Sequence, residues 1–156
     1  MPSDEQDKAG VVAPPPLIYL GTLIFGLLLG RRFPISFLPR KMARGLGLPL
    51  LVGGVLLLGW FERAMRQTDT PASPYKPVER IAKEGPFRYT RNPGYLSMAM
   101  IYAGVASLAN ALWAILLLPV ALLVIQHGVI EREERYLERK FGDEYLSYKA
   151  HVRRWI

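Results

Sequence analysis

Apolar residues in this chain gather into blocks instead of recurring at amphipathic spacing. Residues 17–30 carry no charged side chain. Such a block, rising about 1.5 Å per residue, extends roughly 21 Å, short of a hydrocarbon core of about 30 Å. It predicts a spanning helix, with a partial insertion as the alternative. A second block predicts a helix over 46–61 with Pro49 in its first turn, where proline is tolerated. The run 95–130 would reach about 54 Å as one straight helix, too long for a single crossing. Asn110 is the only strongly polar residue between Leu96 and Leu118, so the run predicts a hairpin of helices 95–109 and 111–130. Beyond it, Leu137, Phe141, Tyr145, Tyr148, Val152 and Trp155 recur at three- and four-residue steps. That stripe predicts an amphipathic helix over 131–156, with Gly142 as a possible break.

The polar stretches complete the outline. Residues 1–16 are polar and then proline-rich, which predicts a disordered tail. Asp4, Glu5 and Asp7 stand where a signal peptide needs basic residues, which argues against cleavage. The segment 62–92 is the one long polar connection, and long connections are either functional or disordered. The expected fold is therefore all-α: a polytopic membrane bundle of about four transmembrane helices, one domain over 17–156, with a C-terminal amphipathic cytosolic helix.

Charge refines the topology. The net charge is +7 over 156 residues, but the basic residues flank apolar blocks, as topology and anionic headgroups require. Nucleic acid is not an expected partner; membrane lipids are. Fifteen of the twenty Lys and Arg fall in the N-terminal tail, 62–92 and 131–156, and five fall in the first loop. The positive-inside rule then places the first group in the cytosol, although the five loop residues pull the other way. With no cysteine and two distant histidines, His127 and His151, no metal site is expected.

Two stretches carry the chemistry. The first is Gly85-Pro86-Phe87-Arg88-Tyr89-Thr90-Arg91-Asn92-Pro93-Gly94-Tyr95, rigid, cationic and aromatic. The second runs from Glu133-Glu134 through Leu137 and Phe141-Gly142 to Tyr145 and Tyr148. Together, in this order and separation, they resemble the isoprenylcysteine carboxyl methyltransferase and phospholipid methyltransferase family of integral membrane enzymes. The resemblance covers about residues 78–153. Asn92 stands where many members carry His, and Ser97 where Gly is usual.

The resemblance implies a transferase that uses S-adenosyl-L-methionine as cofactor and faces the cytosol. It implies a cofactor loop over 76–95, with cofactor contacts from Arg80, Ile81, Phe87, Asn92, Pro93, Gly94, Tyr95 and Glu133. It implies catalytic roles for Arg91, Asn92 and Glu134. Arg88 and Arg91 suit an anionic group, or alternatively a headgroup anchor. The expected partner is a lipophilic small molecule or prenylated substrate bearing a carboxylate, thiol or amine. Asn92 keeps hydrogen bonding but cannot move a proton near neutral pH, which favours an oxygen or sulfur acceptor. The alternative function is a non-catalytic scaffold or assembly protein built on the same helical bundle.

Overall fold

The computed structural model describes residues 10–68 and 78–156, and every regular element among them is helical. Helix α1 is Pro15–Arg32, α2 is Arg40–Gln67, α3 is Pro93–Leu108 and α4 is Leu112–Ile125. A π-helical turn, Gln126–Ile130, joins α4 to α5, Glu131–Phe141. The last helix, α6, is Asp143–His151. A single 3₁₀ turn, Gly85–Arg88, precedes α3. Two of these helical stretches, Arg40–Gln67 and Leu112–Phe141, are long and apolar enough to cross a membrane.

The boundaries differ from the sequence expectation for physical reasons. Helix α1 begins at Pro15, inside the expected tail, because a proline in the first turn lacks only an N–H that would go unpaired anyway. Helix α2 begins at Arg40, not near Leu46, so Pro49 lies in its interior and not in its first turn. The basic stretch Arg40-Lys41-Met42-Ala43-Arg44 is made of good helix formers and holds no breaker after Pro39. The expected helix 131–156 is two helices, since Gly142 adopts φ 51 between α5 and α6. Helix formation stops at His151, and residues 152–156 leave the helix. The tail 1–9 and residues 69–77, which include the first two positions of the expected cofactor loop, lie outside the described residues.

Close backbone approach holds the helices together. A Cβ on Gly104 would sit 2.6 Å from the Leu51 nitrogen, and one on Gly54 would sit 2.9 Å from the Ile101 nitrogen. Helices α2 and α3 therefore touch along their backbones, as small residues permit between membrane helices. Gly26 brings α1 equally close to α4, with a Cβ there 2.5 Å from the Ala114 Cα. The buried Tyr102 hydroxyl donates to the Ala114 carbonyl at 2.9 Å, tying α3 to α4. Outward apolar residues such as Phe25, Leu56, Leu116 and Leu123 stay more than half exposed, a surface that water would not tolerate over this extent.

The α3–α4 hairpin turns where its one amide stands. Asn110 has φ 50, a left-handed conformation that asparagine tolerates. Its Oδ1 accepts from the Phe37 and Leu38 amides at 3.3 and 3.2 Å, and its Nδ2 donates to the Leu38 carbonyl at 2.7 Å. The α1–α2 loop and the hairpin tip thus share one end of the bundle. The other end gathers the start of α1, the start of α3 and all that follows α4: the Val12 amide donates to the Gly128 carbonyl at 3.2 Å, and the Arg91 amide to the Arg153 carbonyl at 2.9 Å.

Candidate active site

The first motif is fixed by packing before any polar contact is made. Gly85 takes φ 63 over the Trp60 indole, where a Cβ would lie 3.2 Å from Nε1. Pro86 is fully buried, and the Phe87 ring lies 5.9 Å from that of Phe61. Phe61 also abuts Gly94, leaving a Cβ there only 3.0 Å of space. Pro93 then starts α3 at a position where its missing N–H is harmless. Asn92 is the residue before that helix, but its side chain does not cap it. The Asn92 amide Nδ2 instead donates to the Arg154 carbonyl at 2.9 Å.

The second motif arrives through the π turn. Such turns are rare, occur mostly as single insertions inside helices, and cluster at functional sites. Eight of the eleven α5 residues are charged, so the apolar part of this helical stretch ends at the turn. Adjacent residues on a helix point about 100° apart, and Glu133 and Glu134 accordingly face different partners. The Tyr95 hydroxyl donates to Glu133 Oε1 at 2.6 Å. Burial pushes the Glu133 carboxyl up to about 7; the Tyr95 hydrogen bond pulls it down and the neighbouring Glu134 charge adds to the rise. The Tyr95 carbonyl accepts from the Tyr19 hydroxyl at 3.2 Å, so one residue joins α1, α3 and α5.

Glu134 is 5% exposed and lies among cations. Arg91 Nη2 approaches its Oε1 at 3.1 Å. The Arg154 guanidinium makes a two-pronged contact, Nε to Oε1 at 3.1 Å and Nη2 to Oε2 at 2.7 Å. Lys149 Nζ stands 4.0 Å from Oε2. The Arg91 side chain is itself only 9% exposed. Its Nε and Nη1 are buried and have no hydrogen-bond partner among the described residues.

The structure thus brings Arg91, Asn92, Pro93, Gly94, Tyr95, Glu133 and Glu134 to one end of the bundle. Phe87 is adjacent through its carbonyl, which accepts from the Tyr148 hydroxyl at 2.7 Å. Ile81 is half-buried and Arg80 exposed on the segment leading to the 3₁₀ turn. Arg88 pairs with Glu84 on the exposed side. Glu131 is not a free solvated side chain, since His127 Nδ1 lies 3.0 Å and Arg154 Nη1 3.7 Å from it. Glu138 pairs with Lys149. The apolar stripe places Tyr148, Val152 and Trp155 on one amphipathic helix; Tyr148 bonds Phe87, whereas Val152 and Trp155 lie past the end of α6, and Trp155 packs against the core and donates to Gln126 Oε1 at 3.3 Å. Arg154 was missed altogether. The signal for it was an Arg-Arg-Trp cluster where the apolar stripe ends.

A family model described as phospholipid methyltransferase matches residues 42–144, which takes in most of α2, the 3₁₀ turn, α3, α4 and both glutamates. An uncharacterized protein of Haemophilus influenzae (strain ATCC 51907 / DSM 11121 / KW20 / Rd) is 51% identical over 63 residues, 40% of this chain and 98% of that relative. No solved structure matches the chain.

Proposed function

The chain belongs to the phospholipid methyltransferase family, and from that premise we propose an integral membrane, S-adenosylmethionine-dependent methyltransferase acting on a lipophilic acceptor. The observation that carries this reading is the junction of the two motifs, Tyr95 with Glu133 and Arg91 with Glu134. Neither pair is local in sequence, and both stand at the end of the bundle away from the hairpin tip.

The residues present fit the cofactor. Buried guanidinium donors without partners cost on the order of 1–3 kcal/mol, and the Nε and Nη1 of Arg91 are two such donors. They suit the amino-acid carboxylate. Glu133 suits a ribose hydroxyl pair as acceptor, and the Phe87 and Tyr95 rings offer apolar and cation-tolerant faces beside Pro93 and Gly94. Arg80 and Ile81 flank the approach. The bound cofactor would supply an electrophilic methyl group on a sulfonium.

The remaining work belongs to the chain. Arg91 orients the ligand while Glu134 holds Arg91. The close α2–α3 contact and the Phe61–Phe87 pair exclude water from one side. Asn92 accepts no proton near neutrality, and Glu133 is engaged by the ribose hydroxyls in this reading. A carboxylate or thiolate acceptor, which needs no base, therefore suits the site better than an amine, which must lose a proton.

In this reading the four helices α1 to α4 all insert, α5 and α6 form the amphipathic cytosolic element, and the motif end faces the cytosol where the cofactor is found. The acceptor arrives from the bilayer. The test is to incubate vesicle-reconstituted protein with methyl-labelled S-adenosylmethionine and a lipid extract. Label passing into the organic phase, and lost in Arg91→Gln, is the expected result. Label no higher than in protein-free vesicles, across extracts of varied lipid class, would overturn the reading.

A further inference from the structure

The last five residues lie beyond the span that the family model matches. They nonetheless bond directly to the first motif and to Glu134. The Arg91 amide donates to the Arg153 carbonyl at 2.9 Å, and the Thr90 hydroxyl and Asn92 Nδ2 donate to the Arg154 carbonyl at 3.1 and 2.9 Å. The Arg154 side chain forks onto Glu134, and Trp155 anchors the segment on Gln126 and the core. Three consecutive residues of the first motif, Thr90, Arg91 and Asn92, are thereby held by a segment more than sixty residues downstream.

We infer that residues 152–156 form a strap that closes one wall of the site, and that Arg154 is its positioning residue. Resting on the methyltransferase reading, this assigns Arg154 a role that acts through its neighbours. The physical argument starts from Glu134, whose two oxygens face Arg91 and Arg154 together. A guanidinium fork fixes a carboxylate in orientation as well as in place, which a lysine ammonium does not. Fixing Glu134 fixes Arg91, because Arg91 Nη2 has its ion-pair contact there. The same residue holds Asn92 through its carbonyl. Arg154 thus sets the direction in which the unpartnered Nε and Nη1 of Arg91 point. Arg153 differs: among the described residues its carbonyl alone makes a contact, its side chain is exposed, and it serves as a control.

The experiment uses the full chain in detergent or nanodiscs, as wild type, Arg154→Gln, Arg154→Lys and Arg153→Gln. Hydrogen exchange without cofactor reads the strap by itself. Arg154→Gln should speed exchange at the Arg91 amide at least tenfold while α2 and α3 keep their protection. Arg154→Lys, which keeps charge but not the fork, should fall between, and Arg153→Gln should match wild type. Titration with S-adenosylhomocysteine reads the consequence, with a tenfold or greater loss of affinity in Arg154→Gln and partial rescue in Arg154→Lys. Unchanged Arg91 exchange in Arg154→Gln overturns the strap, and faster exchange with unchanged affinity overturns its positioning role. If wild type itself binds no S-adenosylhomocysteine, the methyltransferase reading fails, and the exchange data still decide whether the strap holds Arg91.

Discussion

The environment of Glu133 conflicts with its ordinary chemistry. Desolvation favours its protonated form, and the Tyr95 hydroxyl only partly offsets this. The folded carboxyl therefore titrates near 7 while the unfolded one titrates in the usual carboxylate range, so the folded state binds more protons between the two values. Stability must fall as pH rises through that window. Glu133→Gln should abolish this slope, and the melting temperature of the variant should stay level from about pH 5 to pH 7 where wild type declines. Cofactor affinity should run the opposite way, rising with pH as the carboxylate forms and losing on the order of 1.5–3 kcal/mol in Glu133→Gln. A melting temperature that falls equally in both proteins would show that another group titrates. The first motif and the glutamates are legible because two separate motifs, in this order and separation, match one family pattern. Arg154 is not, because it reaches Glu134 from an irregular segment after α6 that has no periodicity to read.

Elements are set by small residues and one amide. Gly104→Ala should place a methyl group 2.6 Å from the Leu51 backbone nitrogen. Backbone cannot rotate aside as a side chain can, so α2 and α3 must separate, at a cost on the order of 1–3 kcal/mol. A lowered melting temperature with unchanged helix content by circular dichroism is the expected result. Gly59→Ala, with open space around the position, is the comparison that should be neutral or stabilising. Asn110→Ala should lose three hydrogen bonds and a tolerated left-handed residue at once, costing about 1–3 kcal/mol. Equal melting of Asn110→Ala and wild type would remove the hairpin tip from the account. The hairpin was legible because one strongly polar residue interrupts a long apolar run. The start of α2 was not, because Arg40, Lys41 and Arg44 look like a basic loop until the helix is seen to continue through Pro49. The π turn has no sequence signature of its own.

For the whole molecule, the proposed reading requires the two ends of the bundle to face different compartments. The hairpin tip and the α1–α2 loop are joined through Asn110, and both motifs stand at the other end. A cysteine-free chain permits single-cysteine reporters, and Ala109 is the better tip position because Asn110 is occupied by its hydrogen bonds. Ala109→Cys should react with a membrane-impermeant thiol reagent in intact cells, and Ser147→Cys only after permeabilisation. The reverse pattern would put the motifs on the side without cofactor. The central claim, that the joined motifs hold a methyl donor, is tested most directly by calorimetric titration of the full chain with S-adenosylhomocysteine beside Glu133→Gln and Arg91→Gln. Saturable binding by wild type at one site per chain, weakened at least tenfold in both variants while they remain folded, is the result predicted. Wild type that shows no binding, or variants that bind as well as wild type, would contradict it.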